Sequence, residues 1–372
     1  MDVESVVKQR YSEGAKQRQE QLCCPVEYDS DLLKLLPEEI LQKDYGCGDP
    51  SRYVREGDTV LDLGSGGGKI CYMAAQLVGN MGRVIGIDMN DDMLGLARKY
   101  RDSMQQKTGG VIIDFLKGYI QDLALNVEAR DAYLAANPIK SNEDLARFNQ
   151  WQVEQRQNAP LIADNSIDLV VSNCVLNLVS DAEKRQLIQE IHRVLKPGGR
   201  VAISDIVSDE AVTEHLKKDP ELWSGCISGA FQEHEFMQVF GEAGFLAISY
   251  DKWDSAPWQV VEGIEFRSVT LTAVKGEGVP CYDRGHAVIY RGPYASITDD
   301  EGHVYYRGER MAVCERTFKL LTNGVYKDDF IGITPVELRE PVEWCAPSGT
   351  RRSVQETKSG VHDLERKAAC CC

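Results

Sequence analysis

The sequence predicts an α/β fold, a mostly parallel sheet with an antiparallel last strand, followed by a small β-rich domain. Three observations predict it. An apolar run, Thr59-Val-Leu-Asp-Leu63, passes into a glycine-rich turn and then a helical stretch. Apolar runs then alternate with amphipathic stretches as far as Asp205, the rhythm of βαβ units with right-handed crossovers. Beyond Gly276, short β-branched and aromatic runs lie between Gly and Asp turns, which reads as hairpins.

The chain of 372 residues is long enough for two or three domains. Its net charge of −16 argues against nucleic acid or an anionic membrane as a partner. The N-terminus lacks the apolar core of a signal peptide, and no stretch is long enough to span a bilayer, so a cytoplasmic location is expected. Residues 1–45 are polar and predicted helical, with an apolar patch from Asp31 to Leu36. This extension either covers a ligand or docks on the core. Asp44 to Pro50 is a turn-rich connection into the first strand.

Gly64, Gly66 and Gly68 follow that strand. They allow a sharp turn and a close approach to a ligand, at a helix start that favours anions. A Walker A loop is excluded, because Leu63 and Ile70 stand where a Gly and a Ser/Thr are needed. The dinucleotide pattern fails at Lys69. What remains is Asp62-x-Gly64-x-Gly66-x-Gly68, followed by a second strand, Val84-Ile-Gly-Ile-Asp88-Met89, that ends in an acid. This combination resembles motif I of the Rossmann-like class I methyltransferases. The resemblance implies S-adenosylmethionine as cofactor, held by Asp62, Gly64, Ser65, Gly66, Gly68, Asp88 and Met89. By position it adds Ile120 and Gln121, after the third strand, and Asn173, at the end of the fourth.

Asn90 is a predicted N-cap for a helix with Met93, Leu94, Ala97 and Met104 on one face. Val111 to Ile120 holds the third strand and its exit loop. Residues 122–163 exceed an ordinary connection and are expected to form a helical insertion. Ile167 to Val175 is the fourth strand. Ser180-x-x-Glu183 reads as a capping box opening a helix that Leu195-Lys-Pro-Gly-Gly199 stops, and Arg200 to Asp205 is the fifth strand. Ligands in such sheets sit beyond the carboxyl ends of the strands, so one cleft collects these positions. Residues 206–232 break the rhythm. A helix from Glu233, a strand over Phe245–Trp253 and an antiparallel edge strand over Glu262–Lys275 complete a domain of residues 46–275. Residues 276–345 form the β-rich domain, and 346–372 read as a disordered tail ending in Cys370-Cys371-Cys372.

Twelve cysteines without a Cys-x-x-Cys spacing are not the static disulfide framework of a secreted domain. Cys174 ends the fourth strand at the cleft mouth, and Cys226 lies on the segment that would fold over it. No histidine or carboxylate stands out as a general base; Asp205 serves either as one or as an ordinary acid. Asp62 to Tyr72, Gly118-Tyr-Ile120, Val171 to Leu178, Leu195 to Gly199 and Leu222-Trp-Ser-Gly-Cys226-Ile-Ser-Gly-Ala230 resemble the arsenite methyltransferase family. The resemblance covers most of residues 40–275. It implies that Cys174 and Cys226 bind trivalent arsenic and that Cys47 and Cys71 join them as a binding or redox pair, with Cys71 the third arsenic ligand. It also implies arsenite or methylated trivalent arsenicals as substrates and a cellular thiol, of thioredoxin or glutathione type, as reductant. Departures are the long 122–163 insertion, Lys69 where Arg is common, and Ser224 where an acid is common.

Two rival readings remain at this point: a methyltransferase for a small organic acceptor, and a non-catalytic module that holds cofactor and metalloid. Cys23, Cys24, Cys281, Cys314 and Cys345 read as packing residues, and none of the six histidines pairs with cysteines at zinc spacing.

Overall fold

The computed structural model describes residues 3–17, 26–43, 45–324, 326–335 and 337–357. Cys23, Cys24 and the terminal cysteines lie outside them. The chain forms two compact units, one ending at Gly276 and one beginning at Glu277.

In the first unit, α1 (Val3–Lys16), α2 (Ser30–Leu33) and α3 (Glu38–Gln42) precede β1 (Thr59–Leu63). Then come α4 (Lys69–Leu77), β2 (Arg83–Asp88), α5 (Asp91–Lys107), β3 (Ile112–Lys117), α6 (Val127–Ala136), α7 (Asn142–Asn158) and β4 (Ile167–Asn173). The unit continues with α8 (Asp181–Val194), β5 (Leu195–Ser208), α9 (Pro220–Ser224), β6 (Phe231–Gln232) and α10 (Glu233–Glu242). It closes with β7 (Phe245–Trp253), β8 (Gln259–Val261) and β9 (Ile264–Lys275). The sheet order is β3-β2-β1-β4-β5-β9-β7. β1 to β5 run parallel, and β9 is antiparallel to both its neighbours.

The period of two along each strand divides the core. Leu61, Leu63, Ile85, Ile87 and Val170 pack with α8 and α10 on one face, and Val60, Val84, Leu169 and Val171 pack with α4 and α5 on the other. The expected edge strand over 262–275 is instead an inner one, paired with β5 and β7; the edge is β7. The reason is visible in β9, which is buried almost without interruption from Phe266 to Leu271, as a strand with two neighbours should be.

Asn90 caps α5, accepting from the backbone N–H groups of Asp92 and Met93. At α8 the reciprocal capping box does not close: the Ser180 hydroxyl donates to the Glu183 carboxylate at 2.6 Å, and no side chain caps the helix. The 122–163 insertion is helical. Tyr133 of α6 stacks on Trp151 of α7 at 4.6 Å, and Arg156 ties α7 to Asp122 at 2.7 Å.

The second unit contains β10 (Tyr282–Asp283), β11 (Ala287–Tyr290), β12 (Ser296–Thr298), β13 (Val304–Tyr306), β14 (Arg310–Ala312), α11 (Glu315–Asn323), β15 (Phe330–Ile333) and β16 (Val342–Glu343). Its core gathers Val288, Tyr290, Tyr305, Met311, Leu321 and Phe330. The reading of everything beyond 345 as disordered is corrected for 346–357. Arg351 bridges to Met311, and the buried Arg352 reaches Asp283 at 2.6 Å. A polar composition concealed an ion pair made with a residue far back in the sequence.

Candidate active site

The carboxyl ends of the parallel strands open into one cavity. Asp62, Gly64, Ser65, Gly66, Asp88 and Met89 line it from β1 and β2, and Ile120, Gln121 and Asn173 from β3 and β4. The glycines differ in their reasons. Gly64 has φ +68°, and a Cβ there would lie 2.4 Å from Val175. Gly66, at φ +51°, has nothing within 4 Å of a notional Cβ, so its backbone is bare to a ligand. Gly68 does not line the cavity. It sits at the start of α4 with φ +88°, where a Cβ would meet the Phe115 ring at 2.8 Å. What the structure shows for it is close packing against Phe115.

The Ser65 hydroxyl is buried without a hydrogen-bond partner. Such a group is rare unless something else completes it, so this cradle fits a polar ligand. Asp88 accepts from the Gly66 N–H and the Asn90 N–H, each at 2.8 Å. Burial holds its carboxyl above the usual range. Lys69 places its ammonium 3.2 Å from the centre of the Tyr28 ring.

The thiols form a second group. Cys47 and Cys174, 127 residues apart, are joined by a disulfide. The Cys226 thiol donates to the Cys174 carbonyl at 3.3 Å, and all three sulfurs share one apolar cluster. Cys174 and Cys226 both have left-handed backbones, φ +58° and +64°. That conformation is uncommon for a residue with a Cβ, and such residues gather at functional sites.

Asn173 explains how Cys47 is held. Its carboxamide oxygen accepts from the N–H groups of Cys47 (2.8 Å) and Gly48 (3.0 Å), and its nitrogen donates to the Gly48 carbonyl at 2.7 Å. Asn173 borders the cavity, and its polar atoms clamp the Cys47 turn. Cys71 is placed elsewhere. Its thiol lies 3.2 Å from the Asp62 carboxylate within the cluster packed under α4. Burial and then Asp62 push its titration well up. Cys47 is therefore bonded to Cys174, and Cys71 stands apart from the other three thiols, a correction to its expected place beside them.

Asp205, ambiguous in the sequence, is buried at the end of β5. It accepts from the Leu176 N–H at 2.9 Å, the Asn177 N–H at 3.4 Å and the Ile206 N–H at 2.8 Å. Burial outweighs these donors and raises its carboxyl to about 6. One of its oxygens and the sulfurs of Cys47 and Cys174 lie within 4.8 Å of one another. Tyr11 was missed by sequence reasoning. It lines the cavity from α1, and burial, then Cys226, raises its hydroxyl. The spacing Val7, Tyr11, Ala15, one face at every fourth residue, was the available signal.

Several contacts hold the segment that carries Cys226, among them the Asn177 amide donating to the Cys226 carbonyl at 3.3 Å and the Ser228 hydroxyl donating to the Leu216 carbonyl at 2.6 Å. Arg10 donates to the Ser224 hydroxyl at 2.6 Å, and buried Lys184 donates to the Gly229 carbonyl at 2.5 Å and to Asp181 at 2.6 Å. A charged donor to a buried carbonyl contributes about 1.5–3 kcal/mol. Lys184→Met therefore raises hydrogen exchange across residues 225–230 by about tenfold or more. Unchanged protection there would show that the anchor does not hold the segment.

A family model described as a methyltransferase domain matches residues 55–150 and 135–244, and a model for a domain of unknown function matches 277–362. The arsenite methyltransferase of Aquipseudomonas alcaligenes is 32% identical over 311 residues, 80% of this chain and 80% of that protein. The arsenite methyltransferase of Mus musculus is 31% identical over 347 residues, 90% of this chain and 81% of its own. Among solved structures, an arsenic(III) S-adenosylmethionine methyltransferase from Chlamydomonas reinhardtii superposes with a TM-score of 0.54 at 25% identity. That match covers 87% of this chain and 100% of the algal one.

Proposed function

Given that the chain belongs to the arsenite methyltransferase family, we propose that it methylates trivalent arsenic held by Cys174 and Cys226, with Cys47 as the third thiol. The observation that carries this reading is the adjacency of those two cysteines, both left-handed, beside a cavity with a bare glycine backbone.

S-adenosylmethionine supplies an activated methyl group when bound. The residues fitted to hold it are the Gly64–Gly66 turn, the orphaned Ser65 hydroxyl, the Asp88 carboxylate and the Ile120–Gln121 loop. The chain's own work is to bind, orient and exclude water.

Arsenite loading begins with the Cys47–Cys174 disulfide. A thiol reductant gives up two electrons and two protons and leaves as its own disulfide, freeing both thiols. Each arsenic–sulfur bond then forms as a thiol proton departs with an arsenite hydroxide as water. Thiolates suit a soft metalloid, and three of them in a pyramid leave its lone pair on the open side. Methylation oxidises arsenic by two electrons; re-forming the Cys47–Cys174 disulfide, as both of those arsenic–sulfur bonds break, returns them and leaves methylated trivalent arsenic on Cys226, with water supplying a hydroxide and releasing a proton. Such a cycle belongs in a reducing compartment, for which we propose the cytoplasm. Among the described residues, no helix is long and apolar enough to cross a membrane.

The reading is tested by incubating the full chain with arsenite, thiol reductant and S-adenosylmethionine and separating arsenic species. Methylated arsenic is expected. Its absence from a preparation that binds the cofactor overturns the reading. The position of Cys71 adds a sharper expectation. Cys71→Ser leaves equilibrium arsenite binding by the reduced protein within about threefold, because its thiol is outside the cluster. A loss of tenfold or more would restore Cys71 as a ligand.

A further inference from the structure

The second unit contains a thiol cluster made of residues other than those proposed to hold arsenic. Cys281 precedes β10, Cys345 follows β16, and the antiparallel pairing of these strands sets Tyr282 opposite Glu343. The Trp344 N–H donates to the Cys281 carbonyl at 2.8 Å, which sets Cys281 opposite the residue before Cys345. The Cys281 thiol interacts with those of both Cys345 and Cys314. Cys314 is buried at the start of α11, where its sulfur takes the Thr317 N–H at 3.4 Å. On the other side, Cys345 Sγ lies 3.8 Å from His303 Nε2. His303 Nδ1 is bonded to Asp299 at 3.0 Å, and the Tyr305 hydroxyl donates to the same carboxylate oxygen at 2.7 Å. A carboxylate behind one ring nitrogen, with the other turned toward a thiol, is how proteins orient a metal-ligating histidine.

We propose that Cys281, Cys314, Cys345 and His303 bind a tetrahedral divalent ion of the zinc type. Bond lengths of about 2.3 Å to sulfur and about 2.0 Å to nitrogen place neighbouring ligand atoms roughly 3.6 Å apart, close to the Cys345–His303 separation. Three thiolates and a neutral imidazole on a divalent ion leave one net negative charge. Arg316, whose guanidinium is held by Glu301 and feels both Cys281 and Cys314, stands beside it. The ligands form a row in which each touches the next; the mutual closeness found for Cys47, Cys174 and Asp205 is not met here. Binding therefore draws the ends of the row together, tying the β10–β16 pair to the start of α11. The imidazole favours a four-coordinate divalent ion over arsenite, which needs three thiols and no nitrogen. Spacing hid the site, because its ligands come from four separate places in the sequence.

The test is titration of the reduced full chain with Co²⁺, read by the thiolate charge-transfer and tetrahedral d–d bands. One equivalent is expected to bind in a Cys47→Ser/Cys174→Ser/Cys226→Ser variant, and at least one in wild type, whose reduced Cys47 and Cys174 form a further set of ligands with Asp205. Cys345→Ser and His303→Ala each weaken binding by at least about tenfold. Asp299→Asn, which spares every ligand and keeps a side-chain oxygen for the Glu301 and His303 N–H groups, weakens it by about 10–100-fold. Circular dichroism on each variant separates misfolding from ligand loss, and the Asp299→Asn result decides if the others misfold. The proposal is overturned by absence of tetrahedral bands in wild type, by their loss in the active-site triple variant, or by full affinity after His303→Ala. It is equally overturned if arsenite, but not Zn²⁺, displaces the cobalt.

Discussion

Cys174→Ser and Cys226→Ser each lower arsenite methylation by on the order of 10³-fold, about 4 kcal/mol in the barrier, while cofactor affinity stays within about threefold. A hydroxyl is a hard, weakly donating ligand, so the substitution removes an arsenic bond and the electron density behind it. The cavity proposed to hold the cofactor is lined mainly by other elements; Cys174 borders it and Cys226 does not. Isothermal titration with S-adenosylmethionine, alongside product analysis, separates the two effects. Full turnover in both variants would transfer the chain to the organic-acceptor reading. Tight arsenite binding without product in wild type would make it a holding module.

The second large effect is on stability and its dependence on pH. Asp205 is fully buried, and its carboxyl is raised to about 6, against about 3.9 in an unfolded chain. The native state therefore binds the proton more tightly than the unfolded state does. The stabilisation is complete below about pH 4 and is lost as pH rises through about 6, a difference of roughly 3 kcal/mol from this group. Asp205→Asn removes that slope. Subtracting its urea-unfolding free energies from those of wild type across pH 4–7 should leave a difference that falls with pH. A flat difference would show that the carboxylate is not desolvated as its surroundings indicate. Asp205→Ala goes further, because three backbone N–H groups lose their acceptor, each costing about 1–3 kcal/mol when buried.

The glycine turn and the alternation of runs made the parallel half of the sheet legible, because local rules govern it: close backbone approach at Gly64 and Gly66, and period-two burial in β1 and β2. What was not legible depends on partners distant in the chain. The inner place of β9 follows from pairing with β5 and β7, and an alternating run cannot announce how many neighbours it has. Cys47 finds Cys174 because Asn173, the residue beside Cys174, grips the Cys47 turn. No spacing rule encodes that. The family resemblance pointed to Cys174 and Cys226 but set Cys71 beside them, whereas the structure gives that thiol to Asp62. Asn173 was expected at the cofactor from its strand-end position alone, and the hydrogen bonds of its carboxamide assign it a different duty.

The two left-handed cysteines have a corollary for stability. An L-residue in that conformation costs about 1–2 kcal/mol that glycine escapes, so glycine at Cys174 or Cys226 would relieve the backbone while erasing the sulfur. At Cys174 the exchange also gives up the disulfide to Cys47, and at Cys226 the packing of a buried side chain, so what the sulfur contributes to the scaffold offsets part of that strain.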